Sequence, residues 1–169
     1  GHTITEAIKS KLFNYILVST DSKKYADIAR KYGASVPFLR PKKFAKDDVG
    51  LQEVIIDFIK RHKLEQNEFC VFIYATAGLI KKNMLYKSIQ KFIKSKSDLL
   101  LAVKEFESNP LKALKITEKR NLEYNEKKYF KVNTKVLQKL YFHPGSFFIF
   151  RTKSFLKNAR NLPKKTTYY

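Results

Sequence analysis

Three short segments carry side chains suited to ligand chemistry, each directly after an apolar run: Ser19-Thr20-Asp21, Phe38-Leu39-Arg40-Pro41 and Tyr74-Ala75-Thr76-Ala77-Gly78. Open parallel sheets bind their ligands at the carboxyl ends of their strands, which is where these segments fall. The third is rich in small residues, so a nucleotide can approach the backbone closely. Arg40 presents a planar, permanently charged guanidinium at such a strand end, a group suited to phosphate and base recognition. The structural alternatives are plain: Asp21 as a helix N-cap, and Arg40 as a surface ion-pair partner. The common catalytic signatures are missing, with no G-x-G-x-x-G, no Walker A loop and no G-x-S-x-G. His2, His62 and His143 lie far apart and offer no metal-ligand spacing. Asp47-Asp48 sits in a polar stretch and reads as a helix-start feature. The single cysteine, Cys70, excludes an internal disulfide and a cysteine zinc site, and with no secretion pattern at the start it points to a reducing, cytoplasmic compartment.

These segments are set in a chain of 169 residues, 44% hydrophobic and 30% charged, the balance of one globular domain. No apolar run approaches the roughly 18 residues of a membrane span. The net charge of +20 raises a polyanion partner. Of the 35 basic residues, however, 29 are Lys and six are Arg, and no Lys run exceeds two. A dispersed Lys surface is the reading favoured over a specific nucleic-acid site, and a nucleotide or an acidic sugar also suits a positive field.

Periodicity supplies the elements that must position the candidates. Apolar spacing predicts helices over Thr3–Phe13, with Thr3 and Glu6 as a capping box, and after Asp21 or Ser22, with Tyr25, Ile28, Ala29 and Tyr32 on one face. Further helices follow around Val54–His62 and Leu85–Ile93. Tyr15–Thr20, Phe69–Tyr74, Asp98–Val103 and Phe147–Phe150 read as buried strands, and Val36–Leu39 as a short extended piece. The alternation of helix and strand predicts an α/β fold with a mostly parallel sheet and helices on both faces. After Phe106 the pattern changes. Leu111–Ile116 and Tyr129–Val132 read as short strands about a polar turn at Glu118–Glu126, a hairpin-like arm. Thr152–Asn158 reads as a short helix, and the chain is expected to stop at Tyr168-Tyr169 without a closing element.

The same residues resemble the CMP-sialic acid synthetases, the acylneuraminate cytidylyltransferase family. The stretches Gly1–Phe13, Ile16–Asp21 and Ile28–Ala34 are similar to a helix, strand and helix of that family. Val36-Pro37-Phe38-Leu39-Arg40-Pro41, with Ala45 and Asp47, resembles its "VPFLRPxxLAxD" stretch. Ile73-Tyr74-Ala75-Thr76-Ala77 resembles the "YATA" segment of the pseudaminic acid branch. Pro110-Leu111-Lys112 resembles the "PLK" segment that opens the family's dimerisation arm, and Gly145-Ser146-Phe147-Phe148-Ile149 its returning "NGAFYI" strand. Leu51 departs from a usual Ser or Thr, Phe142-His143-Pro144 from a polar triplet, and Lys135 from an Arg.

The resemblance implies one Rossmann-like nucleotidyltransferase domain over residues 1–169, with a β-rich dimerisation arm at about 104–144 and assembly as a homodimer. It implies transfer of CMP from CTP to a nine-carbon, acidic nonulosonic sugar of the sialic, legionaminic or pseudaminic kind, with no turnover of CTP expected from these 169 residues alone. Arg40, Thr76 and Ala75 would bind the nucleotide, and Tyr74, Lys112 and Gly145 the sugar side. It also implies Mg²⁺. The family's phosphate loop would precede Gly1 and its metal-binding acidic pair would follow Tyr169, so the ligands of triphosphate and metal are expected outside these residues. The alternatives are a non-catalytic remnant of this fold and a basic nucleic-acid-binding domain.

Overall fold

A computed structural model describes residues 1–64, 69–158 and 161–169. They form two compact units, one of residues 1–102 with 145–169 and the other of residues 103–144.

The first unit opens with helices α1 (His2–Ser10), α2 (Lys23–Lys31) and α3 (Leu51–Arg61). α1 ends three residues before the expected Phe13, because Lys11 turns left-handed with φ 55 and its N–H closes on Ile8. The expected Thr3–Glu6 capping box is absent. Glu6 instead accepts the backbone N–H of Lys82 at 3.1 Å, across 76 residues of chain. Ser22 caps α2 by accepting from Tyr25 N–H, and Gly33, at φ +91, ends the turn after it. The buried face of α2 is the small pair Ala26 and Ala29, whereas Tyr25, Ile28 and Tyr32 stay exposed. The helix thus lies close on Ala34 and Val36, with Ile4, Ile16 and Val18 at the margin. The buried strand expected over Tyr15–Thr20 is one parallel bridge, Leu17 to Ser35. Among the described residues that segment is paired by Val18 N–H to Ser35 O and Ser35 N–H to Ile16 O, and Ile16, Leu17 and Val18 are half-buried.

The chain continues through β1 (Phe69–Ile73), α4 (Lys82–Ser95) and β2 (Leu99–Leu101) into the second unit, whose strands are β3 (Lys104–Glu105), β4 (Leu114–Ile116), β5 (Leu122–Tyr124) and β6 (Tyr141–Phe142). It returns to the first unit as β7 (Phe147–Arg151), α5 (Thr152–Lys157) and β8 (Thr166–Tyr168). The main sheet has the order β1-β7-β2-β8. Two of its three ladders are antiparallel, β1 with β7 and β2 with β7, and only β2 with β8 is parallel. The expectation of a mostly parallel sheet is corrected in that sense. β1, β2 and β8 do point the same way, and the reversed strand β7 lies between β1 and β2. β8 also corrects the expected abrupt stop. Tyr169 N–H bonds to Leu101 O at 2.9 Å, and Tyr169 packs on the core beside Phe147.

β7 explains why helices cover both faces. Phe147 and Ile149 point to one side and pack with Leu100 against Leu85, Ile89 and Phe92 of α4. Phe148 and Phe150 point to the other and pack with Leu99 against Ile55 and Ile59 of α3 and Phe155 of α5. Burying each such side chain is worth roughly 1.5–3 kcal/mol. The helical readings around Val54–His62 and Leu85–Ile93 hold, because their apolar positions are these core contacts. Among the described residues no helix is long and apolar enough to cross a membrane.

In the second unit β3 pairs with β6, and β4 with β5, both antiparallel. The hairpin's second strand is Leu122–Tyr124 and not the expected Tyr129–Val132. Residues 127–129 form a 3₁₀ turn that sets Phe130 against Tyr124, with ring centroids 4.5 Å apart. The hairpin turn is held by Thr117 and Asn121, which exchange backbone and side-chain hydrogen bonds.

Candidate functional site

The Tyr74–Gly78 segment leaves the carboxyl end of β1 as a tight turn. Tyr74 N–H donates to Ser146 O at 3.0 Å, Ala77 N–H to Tyr74 O at 3.0 Å, and Gly78 N–H to Thr76 O at 2.7 Å. Ala77 is buried and anchors the turn, leaving Ala75 and Thr76 exposed at its tip. The Tyr74 ring lies edge-on to Phe72 at 5.0 Å, and burial raises its phenol pKa, so the group stays neutral and a hydrogen-bond donor near neutral pH. Through Ser146 the same turn abuts Gly145. That residue has φ +65, the left-handed region that favours glycine, and no atom lies within 4 Å of where a Cβ would stand. Tyr74, Ala75, Thr76 and Gly145 are thus brought to one end of the sheet.

Arg40 is held from the other candidate loop. Its N–H donates to Thr20 O at 2.8 Å, and its Nη2 lies 3.6 Å from Asp21 Oδ1, with the two side chains 26% and 46% exposed. Asp21 therefore faces Arg40, while Ser22 supplies the helix cap. A pair this exposed contributes at most about 1 kcal/mol. More telling is Arg40 Nε, which is buried and has no hydrogen-bond partner among the described residues. Leaving a buried donor unmade costs about 1–3 kcal/mol, so this N–H is poised for an acceptor brought by a ligand or a water. No described contact joins Arg40 to the Tyr74 turn.

Lys112 belongs to the second unit. It closes a 3₁₀ turn, Pro110–Lys112, capped by Asn109, and lines a cavity of about 370 Å³ with Glu107, Asn109 and Thr134 among its neighbours.

The sequence reading singled out Arg40, Asp21 and Tyr74 one at a time. It missed what fixes the loop before Arg40. Arg30 Nη2 donates to Val36 O at 2.7 Å, and the His62 ring packs tilted against Phe38 with centroids 4.6 Å apart. Neither leaves a local sequence signal, since both contacts form only on folding. For Mg²⁺, the donor set does not fit. Among the described residues no three His, Cys, Asp or Glu side chains come together. Asp21 is committed to Arg40, and Asp47-Asp48 stand exposed in a turn before α3.

Comparison with known proteins adds four findings. Residues 1–166 match the family model described as cytidylyltransferase. The pseudaminic acid cytidylyltransferase of Campylobacter jejuni (strain 81-176) is 30% identical over 161 residues, covering 93% of this chain and 68% of that protein. The CMP-N,N'-diacetyllegionaminic acid synthase of Legionella pneumophila is 46% identical over 59 residues, 35% of this chain and 25% of that protein. Among solved structures, a CMP:2-keto-3-deoxy-manno-octonic acid synthetase complexed with CTP superimposes with a TM-score of 0.64 at 13% identity. That alignment covers 96% of this chain and 66% of the other, a likeness of fold.

Proposed function

The chain belongs to the cytidylyltransferase family, and from that premise we propose that it serves the transfer of CMP from CTP to the anomeric hydroxyl of an acidic nine-carbon sugar, pseudaminic acid first among the candidates. In this reaction the sugar oxygen forms a bond to the α-phosphorus, the bond to the β-phosphate oxygen breaks, and pyrophosphate leaves. The observation that carries the reading is the family match along nearly the whole chain, joined to Arg40 with its buried, unpartnered Nε. The 30% identity to a pseudaminic acid enzyme and the Tyr74-Ala75-Thr76-Ala77 segment support the choice of sugar.

Within this reading Arg40, Ala75 and Thr76 meet the cytidine end, a base carbonyl or ribose oxygen accepting from Arg40. Tyr74 lines the cleft between nucleotide and sugar, and Gly145 leaves it open where a side chain would intrude. Such transfer depends on positioning and on charge stabilisation more than on a covalent nucleophile. The described carboxylates do not gather to hold Mg²⁺.

The working form is a homodimer. Register places Leu114 opposite Tyr124 and Ile116 opposite Leu122, so one face of the β4–β5 hairpin is apolar while Lys115 and Glu123 form the other. An isolated two-stranded hairpin is marginal in water, and its uncovered apolar face suits a two-fold copy of itself. Lys112 of such an arm would supply a cation to the sugar carboxylate in the partner. A reducing, cytoplasmic setting suits the single Cys70 and the nucleotide substrate.

Two measurements test the proposal: CMP binding by titration calorimetry, and CTP-dependent pyrophosphate release by the full-length gene product with pseudaminic, legionaminic and sialic acids offered in turn. The expected results are binding that weakens at least tenfold in Arg40→Ala, about the worth of one charge-assisted hydrogen bond, and release with pseudaminic acid above the others. Equal CMP affinity in Arg40→Ala, or no CMP binding at all, refutes the assignment.

A further inference from the structure

We propose that His62 is a positioning residue for Arg40, acting through the ring of Phe38; the inference rests on the placement of Arg40 at the cytidine end. Residues 36–40 form no regular structure. Their ends are tied by two hydrogen bonds: Val36 O accepts from the Arg30 side chain at Nη2, and Arg40 N–H donates to Thr20 O. Between those ties the described hold on the loop is aromatic. The imidazole of His62 packs against both Phe38, at 4.6 Å and 31°, and Phe58, at 4.1 Å and 41°. The Arg61 guanidinium sits 5.7 Å from the same Phe38 ring, and Arg61 is itself tied to Asp57 by a 2.8 Å hydrogen bond.

His62 follows the last turn of α3, and α3 is fixed in the core by Ile55 and Ile59. A continuous path of contacts therefore runs from the sheet through α3 and His62 to Phe38, two residues before Arg40. Burial holds the His62 pKa below its ordinary value, so the ring is uncharged near neutral pH. A flat, neutral ring in contact with two aromatic rings is a stiff prop with few rotamers to choose from. Remove it, and the loop pivots about its two end ties, turning the guanidinium that carries the unpartnered Nε.

The test is a double-mutant cycle on CMP affinity, with thermal denaturation run alongside. His62→Ala is expected to raise the Kd for CMP about three- to tenfold, the range of one aromatic stacking contact. His62→Phe, which restores a ring, is expected to return it to the parent value, and His62→Gln, which keeps size without a ring, is not. In an Arg40→Ala background His62→Ala is expected to change nothing further. Two outcomes overturn the proposal while leaving the site assignment standing. One is an equal loss from His62→Ala with and without Arg40. The other is a Kd that follows melting temperature across the His62 series irrespective of ring character. An Arg40→Ala variant that binds CMP like the parent sinks the site assignment, and the positioning role with it. Should His62→Ala fail to fold, the contrast between the Phe and Gln variants decides alone.

Discussion

Replacing Leu114 and Ile116 with Asp is expected to convert a dimer into a monomer, and the size of the effect follows from the hairpin's exposure. Leu114 is 52% exposed, Ile116 74% and Leu122 67% in the single chain. Complete burial of such a side chain is worth roughly 1.5–3 kcal/mol, so covering the exposed half to three-quarters yields about 1–2 kcal/mol each. A two-fold interface uses each residue twice. The double substitution therefore removes four contributions, about 4–8 kcal/mol, before the cost of burying charge. At 1.4 kcal/mol per decade the dimer dissociation constant rises about a thousandfold or more. Sedimentation velocity over about 1–100 µM reads this directly, a range in which dimers of ordinary affinity remain associated. Lys115→Ala, on the opposite face of the same strand, serves as the control and is expected to leave the association unchanged. The core of the first unit contains neither Leu114 nor Ile116, so the double variant is expected to melt within the small range usual for surface changes. A parent chain that sediments as a monomer across the range, or a double variant with the parent's dissociation constant, refutes the reasoning.

Three further expectations follow from the fold and the charge. Phe147→Ala, at a ring wholly buried between α4 and the sheet, is expected to lower stability by about 3–5 kcal/mol in urea titration; a loss under about 1 kcal/mol contradicts the central position of β7. Glu6 has its carboxyl held below the ordinary value, first by the Lys82 backbone N–H it accepts and then by Lys9. A depressed carboxylate contributes stability above its unfolded pKa and loses it as pH falls through the folded one, so acidification from about pH 5 to 3 is expected to cost the parent more than Glu6→Gln; parallel curves refute the linkage. Finally, the +20 charge is expected to bind duplex DNA weakly, without sequence preference, and to release it between about 50 and 200 mM salt; sub-micromolar, sequence-selective binding at physiological salt would falsify the dispersed-charge reading.

Residues with tertiary partners on one regular face were legible in the sequence, and those with partners elsewhere were not. Ile55 and Ile59, or Leu85, Ile89 and Phe92, mark their helices because the spacing that packs them is the spacing that defines a helix. Phe147–Phe150 was legible as a strand but not in direction. A strand buried on both faces usually belongs to a parallel sheet, and here both faces are covered while the strand runs against its neighbours. β8 was missed because Lys164-Lys165-Thr166-Thr167-Tyr168 has no apolar alternation; its place is set by Asp98 N–H and Lys165 O, 2.8 Å apart. Tyr129–Val132 looked like a strand from composition, yet Phe130 is better satisfied against Tyr124 in a turn. At the site, Asp21 and Arg40 were visible separately, but their pairing needs Thr20 O to accept from Arg40, a contact across 20 residues that no local pattern encodes. His62 looked solitary for the same reason: its partner Phe38 precedes it by a loop and a helix.

The central place of β7 also governs when the fold can be completed. β1 and β2 run side by side in sequence order but never touch in the sheet, since each has β7 as its neighbour. β7 is about 75–80 residues from β1 and about 50 from β2, so these pairings have high contact order and form late. On a ribosome adding about 5–20 residues per second, the intervening second unit postpones β7 by seconds, and through that interval Phe69–Ile73 and Leu99–Leu101 wait with apolar edges open. Lengthening the 103–144 insertion would cost little at equilibrium, only about 0.6 kcal/mol for a doubled loop, but would prolong that wait in proportion. The length of the arm is therefore a kinetic property of this fold, set against the time that an unfinished sheet can survive without finding a strand from another chain.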